Sequence, residues 1–244
     1  GIDYLRLNAG FDITGNDNID YTASKTYFVA NNMLWLEVDG KSMGNIGNTS
    51  LKWETTSRLT VGLEGSFIDN RLNLRFNYFK GWTKNLLTLR QLAWTSGLAE
   101  SWSNEGKLEN SGFEAGIGIK ALNLKDLTWE VGATVGHYKN KITALPDNNK
   151  PFETEAYGAT ILSQVGTAVG VFYGYKTQGV YATQADADRD GYYQVNSRDQ
   201  REYFGAGDMR FVDKDGNGVI NEDDRFVIGD PNPDVYGNIY TRLN

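Results

Sequence analysis

The sequence predicts an all-β fold of antiparallel strands, of the kind that builds transmembrane β-barrels, and three observations carry that expectation. Apolar and polar residues alternate over several long runs with a period of two, the side-chain period of an extended strand. Tight turns such as Asp69-Asn70 take turns with far longer connections. Aromatic residues, among them Trp53, Trp82 and Tyr138, stand near strand ends, where membrane barrels carry interfacial girdles. A soluble sandwich with a sealed core beneath the apolar faces explains any one strand equally well, so alternation alone leaves both architectures open. The surroundings of Leu59, Leu63, Leu72, Leu74 and Phe76 separate them, because these side chains face lipid in a barrel and a core in a sandwich.

Taken in order, the first strand spans about residues 3–13, with Leu5, Leu7, Ala9, Phe11 and Ile13 opposite Arg6, Asn8, Gly10 and Asp12. Turn residues from Thr14 to Asn18 break it. Tyr27 to Val38 then reads as a more uniformly apolar extended ribbon and Asp39 to Asn48 as a glycine-rich loop. A strand at about 51–67 sets Leu59, Val61, Leu63 and Phe67 against Thr60, Gly62, Glu64 and Ser66. Beyond the turn, its hairpin partner at about 72–87 sets Leu72, Leu74, Phe76 and Tyr78 against Asn73, Arg75 and Asn77. Strands at about 108–121 and 127–139 repeat the pattern, with Phe113, Ile117, Trp129 and Val131 on one side and Glu114, Lys120, Glu130 and several glycines on the other. A last strand covers about 236–244. If the short turns lie on the periplasmic side, strand parity makes 14–50, 88–107 and 140–235 external, the last a large excursion with ribbons of its own.

Composition narrows the function. The 244 residues include no Cys and a single His, and the formal net charge is −7. Disulfides and thiolate metal sites are excluded, and His137 alone is too little for zinc or histidine-based catalysis. An acidic balance without Lys/Arg clusters speaks against nucleic acid. No apolar run reaches the length of a membrane helix, which says nothing of a barrel. An enzyme is not expected: Glu109 and Glu114 are neighbours in sequence, but a glycosidase pair needs a set separation across a bound sugar, and no phosphate loop or nucleophile elbow is present.

One motif stands out late in the chain. From Asp213 to Asp224, oxygen ligands fall at loop positions one, three, five, nine and twelve as Asp213, Asp215, Asn217, Asn221 and Asp224. Gly218 sits at position six, and the Val219 carbonyl at seven completes the spacing of a Ca²⁺ loop. Asp224 is shorter than the usual bidentate Glu, and the flanks Met209 to Val212 and Arg225 to Ile228 read as strand. The expected role is therefore structural, with or without the ion, since Asp-Gly and Asn-Gly pairs turn tightly by themselves.

Several ordered blocks carry a family resemblance. Leu51-Lys-Trp53-Glu54, Asn70-Arg71-Leu72, Lys84-Asn85-Leu86-Leu87 and Asn104-Glu-Gly106 through Gly112-Phe113-Glu114 come first. Phe172-Tyr173-Gly174-Tyr175, Gly207-Asp208-Met-Arg210-Phe-Val-Asp213-Lys-Asp215-Gly-Asn217-Gly218 and Ile228-Gly229-Asp230-Pro231-Asn232-Pro233 follow. In this order and spacing, over nearly the whole chain, they resemble the SusC/RagA family of TonB-linked outer-membrane transporters. The resemblance implies a later, C-terminal-side portion of a barrel of roughly 22 strands, here a fragment without the plug, the TonB-contacting segment or a signal sequence. It further implies a cell outer membrane of the Gram-negative, Bacteroidetes-like kind, a SusD-like surface lipoprotein as lid, TonB as energising partner, and oligosaccharide or peptide as cargo. Trp94, Trp102, Tyr157, Tyr173, Tyr192 and Tyr193 fall in the expected external loops as candidate cargo contacts, although for each a loop-packing role is the commoner use of an aromatic ring. The competing expectation is a secreted soluble β-module with a calcium-stiffened loop, used for adhesion or glycan binding.

Overall fold

The computed structural model describes residues 1–33, 38–98, 100–156 and 158–244. Its strands in chain order are β1 (Ile2–Asn16), β2 (Tyr27–Met33), β3 (Val38–Asn45), β4 (Glu54–Phe67), β5 (Leu72–Gln91), β6 (Glu100–Leu124), β7 (Leu127–Ala144) and β8 (Phe152–Ala156). They continue with β9 (Ala159–Ser163), β10 (Val171–Tyr175), β11 (Thr177–Val180), β12 (Tyr193–Val195), β13 (Arg201–Tyr203), β14 (Met209–Phe211), β15 (Arg225–Gly229) and β16 (Tyr236–Leu243). The chain divides into two compact units, one of Gly1–Pro151, Gln164–Val169 and Asn232–Asn244, the other of Phe152–Ser163 and Gly170–Pro231.

The first unit is organised on a six-stranded sheet in the order β1-β4-β5-β6-β7-β16. Every neighbouring pair in it is antiparallel. Because side chains alternate across a strand, this register sorts the residues into rows. Leu7, Leu63, Phe76, Ala115 and Val135 lie side by side across five strands, and Ala9, Val61, Tyr78, Phe113 and His137 form the row two residues on. The intervening row is Asn8, Gly62, Asn77, Glu114, Gly136 and Tyr236, on the opposite face. Within the apolar face Phe76 stacks on Phe113 at 6.1 Å.

That face is uncovered: Leu63 is 44% and Phe76 45% exposed, with Leu59, Leu74, Ile117 and Val135 alongside them. Leu72 is half-buried. A sandwich would seal these side chains against a second sheet, and the described residues supply none. Roughly 25 cal/mol per Å² of apolar surface is stabilised by leaving water, so a sheet of this kind requires an apolar medium or partner over it.

Two features close the tight end. The β4-β5 hairpin turns through Ile68, Asp69 and Asn70, all with left-handed φ between 53° and 59°, a conformation that Asn and Asp tolerate better than most residues. The fully buried Ser66 hydroxyl donates to Asn70 Oδ1 at 2.9 Å, holding that turn. The β6-β7 hairpin pairs Leu124 with Leu127, leaving only Lys125 and Asp126 to turn.

The structure extends several elements beyond the sequence reading. β5 runs to Gln91 and β6 begins at Glu100, so much of the stretch expected as a loop at 88–107 is a hairpin continuation in which Thr88 pairs with Ser103 and Arg90 with Ser101. Register shifts between Thr83 and Thr88, with Asn85 at φ 55°, break the period-two pattern there and hide the continuation from the sequence. Asp39 to Asn48, expected as loop, is mostly strand: β3 runs to Asn45 and pairs with β2, and the missing side chain at Gly44 leaves room for the Tyr27 ring. Part of the ribbon expected over Tyr27 to Val38 lies outside the described residues.

The second unit holds a four-stranded sheet, β15-β10-β9-β8, and the two-stranded ribbons β11-β14 and β12-β13. A helix, Gln184–Asp190, starts on Thr183, whose hydroxyl accepts from the Asp186 amide, and ends at left-handed Gly191, the usual cap chemistry at each end. Its core is small: Leu162, Val171, Tyr181, Ala187 and Ile220 are each at most 7% exposed.

Candidate functional site

The two faces of the first unit's sheet have different chemistry. Opposite the apolar rows stand Arg6, Glu64, Arg75, Gly116, Thr134 and Asn238 in one row. Tyr236 donates to Glu114 at 3.2 Å and Tyr240 to Glu130 at 3.0 Å. At the end of this polar face away from the tight turns, Arg58, Phe79, Glu114, Tyr138 and Tyr236 surround a recess of about 460 Å³. Tyr138, expected in an interfacial girdle, stands instead on this polar face in the row of Phe79 and Gly112, where its hydroxyl donates to Asn110 at 3.1 Å. Glu114 stands out in the sequence only as a carboxylate pair with Glu109, and strand parity is the signal that groups it with Arg58, Phe79 and Tyr236.

Three of the blocks that carry the family resemblance, those around Lys52, Asn85 and Asn104, meet at the end of the sheet away from the tight turns. Asn104 joins two of them, accepting from the Lys52 amide at 2.6 Å and donating to the Lys52 and Asn85 carbonyls. The Glu54 carboxylate accepts from the Leu87 amide and from Asn16 Nδ2, both at 2.9 Å. Residues separated by up to 52 positions thus lock the start of β4 to the irregular part of β5. These residues have a structural task, which explains residue types that no catalytic chemistry requires.

In the second unit, the acidic loop lies between β14 and β15. Asp213, Asp215 and Asp224 each bring a carboxylate oxygen within 4.8 Å of the others. The Asp213 oxygens accept from the amides of Gly216 at 2.7 Å and Gly218 at 2.8 Å. Burial works against ionisation of Asp213, yet these N–H groups outweigh it and hold its carboxyl below the ordinary value. Asp224 has no exposed surface and accepts from the amides of Lys214 and Asn221 at 2.8 Å each. Asn221 reciprocates in a capping box ahead of the short turn Glu222–Asp224. Gly216 and Gly218 take φ of 76° and 79°, which is why glycine stands at both positions.

The remaining expected ligands are present but differently engaged. Asn217 Oδ1 accepts from the Val219 amide at 2.6 Å, and Asn221 Oδ1 from the Asp223 amide at 2.7 Å. The Asn217 oxygen retains a second lone pair, whereas Asn221 Oδ1 is also engaged by the capping box. Three converging carboxylates provide the hard, anionic oxygen set that Ca²⁺ takes, so the residues fit that ion.

The candidate cargo aromatics are dispersed. Trp102, in the first unit, borders a polar recess of about 320 Å³ together with Asn48, Arg90, Glu105 and the buried Ser101 and Ser103. The backbone of Trp94 opens a single 3-10 turn. Tyr173, Tyr192 and Tyr193 belong to the second unit and are half-buried. Tyr193 packs on Tyr203 at 5.4 Å beneath the Arg201 guanidinium, and its backbone bonds Gly218 and Ile220 of the acidic loop. Tyr157 lies outside the described residues. The six residues therefore form no single described site.

Comparison with known proteins agrees with the sheet. The family model described as TonB dependent receptor-like, beta-barrel matches residues 4–230. TonB-dependent receptor P3 of Formosa agariphila is 35% identical over 239 residues, covering 94% of this chain and 23% of that protein. TonB-dependent receptor SusC of Bacteroides thetaiotaomicron is 28% identical over 248 residues, covering 98% of this chain and 23% of that protein. The structure of the RagAB peptide transporter matches with a TM-score of 0.72 and 20% identity over 99% of this chain and 25% of that one, a likeness of fold. The chain spans about a quarter of the length of these relatives.

Proposed function

The chain belongs to the TonB-dependent receptor-like β-barrel family and is SusC/RagA-like, and on that premise we propose that it forms part of the wall of an outer-membrane importer of nutrient oligomers. The observation that carries this reading is the sheet with one continuous exposed apolar face and one polar face. Lipid covers the first, and the second lines the lumen. The long connections face outward, where a SusD-like surface lipoprotein closes over oligosaccharide or peptide cargo. TonB supplies energy through a part of the protein beyond these residues. Bond-making chemistry has no place in the mechanism: the segment contributes scaffold, lumen surface and external loops to gated passage. The alternative of a soluble adhesion module requires a sealed core around Leu63 and Phe76, which their exposure opposes.

The acidic loop holds Ca²⁺ in this proposal through Asp213, Asp215, Asn217, the Val219 carbonyl, Asn221 and Asp224, as a structural ion that stiffens the path from β14 into β15. In the full-length protein, calcium should increase hydrogen-exchange protection across 213–224; equal exchange with calcium and with a chelator would remove the ion from the account. The importer reading is tested by deleting the gene and, separately, the cell's TonB. Uptake of an oligomeric nutrient should be lost in both strains, and uptake that persists without TonB overturns it.

A further inference from the structure

The recess on the polar face has a specific construction. Its floor is glycine: Arg58 pairs across to Gly81, and Phe79 to Gly112, while Tyr236 lies opposite Gly136. A Cβ on Gly112 would come within 2.7 Å of the Phe79 ring, and one on Gly136 would run into the Tyr236 ring. The absent side chains therefore let both rings lie down against the sheet, and space opens above them. Its volume of about 460 Å³ is within the roughly 300–1,000 Å³ of small-ligand sites.

Two opposite charges border this space without meeting. The Arg58 guanidinium lies over the Phe79 ring at 4.7 Å from its centroid and, among the described residues, makes no ion pair. This cation–π contact holds the guanidinium over the ring, and its N–H groups make no hydrogen bond or ion pair among the described residues that would keep them from a planar anion. Glu114 accepts from the Tyr236 hydroxyl and likewise has no cationic partner among the described residues. The two stand two strands and four residues apart, roughly 16 Å between backbones at ordinary sheet spacings.

We propose that this recess is a cargo subsite for a peptide segment that carries a carboxylate and an ammonium a few residues apart, the carboxylate on Arg58 and the ammonium on Glu114. A neutral sugar offers hydroxyls to both charges and compensates neither. A peptide of this kind neutralises both, and its backbone amides find Tyr138 and Asn110, which already bond each other at 3.1 Å at the rim. The inference rests on the importer reading and names the cargo class at one place in the lumen.

The test uses the full-length transporter purified in detergent and three probes: acetyl-Asp-Gly-Gly-Lys-amide, its uncharged analogue acetyl-Asn-Gly-Gly-Gln-amide, and maltotetraose. Calorimetry should give at least about tenfold tighter binding of the charged peptide than of the analogue. Arg58→Gln and Glu114→Gln should each remove that advantage, and Arg58→Glu combined with Glu114→Arg should restore part of it. Each variant is first checked for unchanged heat-modifiable mobility, so that a folding defect is not counted. Equal binding of the two peptides, variants that bind like the parent, or maltotetraose bound in preference to the charged peptide overturns the subsite. TonB-dependent uptake by cells is measured in parallel: if it survives while the peptides show no charge preference, the subsite alone falls. If uptake is independent of TonB, the importer reading falls.

Discussion

Asp224→Ala is the sharpest probe of the acidic loop. Asp224 is fully buried, and each of its oxygens accepts one backbone amide, from Lys214 and from Asn221, both at 2.8 Å. A hydrogen bond to a charged group contributes about 1.5–3 kcal/mol, and a buried donor left without a partner costs about 1–3 kcal/mol. Removing two such acceptors should therefore cost the loop about 3–6 kcal/mol. At about 1.4 kcal/mol per factor of ten, protection of the Lys214 and Asn221 amides should fall at least about a hundredfold, up to the limit set by opening of the second unit as a whole. Asp224→Asn keeps one acceptor and should lose about half as much free energy. The assay is hydrogen exchange with mass spectrometry on the full-length protein, reading peptides across 209–228. A change at 214 and 221 of less than about threefold in Asp224→Ala would refute the claim that this buried carboxylate organises the loop.

Two further outcomes are expected. Leu63→Arg, on the exposed apolar face, should cost the folded barrel about 2–4 kcal/mol in lipid, whereas Glu64→Gln on the other face should stay within about 0.5 kcal/mol; urea unfolding of the full-length protein from vesicles measures both, and equal costs would reverse the assignment of faces. Asp186 at the start of the helix Gln184–Asp190 is held below its ordinary value of 3.8, chiefly by the Thr183 hydroxyl. A depressed carboxyl stabilises the fold above its unfolded value and loses that contribution only as pH falls through the lower folded value. Exchange protection of residues 186–191, corrected for intrinsic rates, should hold down to about pH 4 and then decline, and Asp186→Asn should abolish that acid-side decline; a loss between pH 6 and 5 contradicts it.

Strand existence was legible because one physical rule, two faces in two media, repeats along the chain. Leu59 to Phe67 and Leu72 to Tyr78 show it without interruption, and both lie in paired strands. The rule failed where a strand leaves that environment. Beyond Thr83, β5 passes through register shifts and Asn85 turns left-handed, so Leu86 to Gln91 no longer alternate in phase with Leu72 to Tyr78. The turn chemistry of the acidic loop was readable from its Asp, Asn and Gly spacing, since its hydrogen bonds and left-handed glycines are local. The polar recess was not, because Arg58, Phe79, Glu114 and Tyr236 come from four strands and only register brings them to one place.

The glycines tie these observations together. On the polar face they look in sequence like weak points in strands, where each costs conformational entropy and packs nothing. Gly132 and Gly136 instead receive the rings of Tyr240 and Tyr236 from the neighbouring strand, where a Cβ would collide with each ring. Those rings cover the bare backbone and carry their hydroxyls to Glu130 and Glu114. A glycine on one strand and a tyrosine on the next thus act as one unit that pins the β7-β16 register. The same arrangement lowers the polar surface locally, so the feature that fixes strand pairing also makes the hollow above it. Register and recess cannot vary independently here, because a larger residue at Gly136 displaces the Tyr236 ring from the pairing and from the recess wall together.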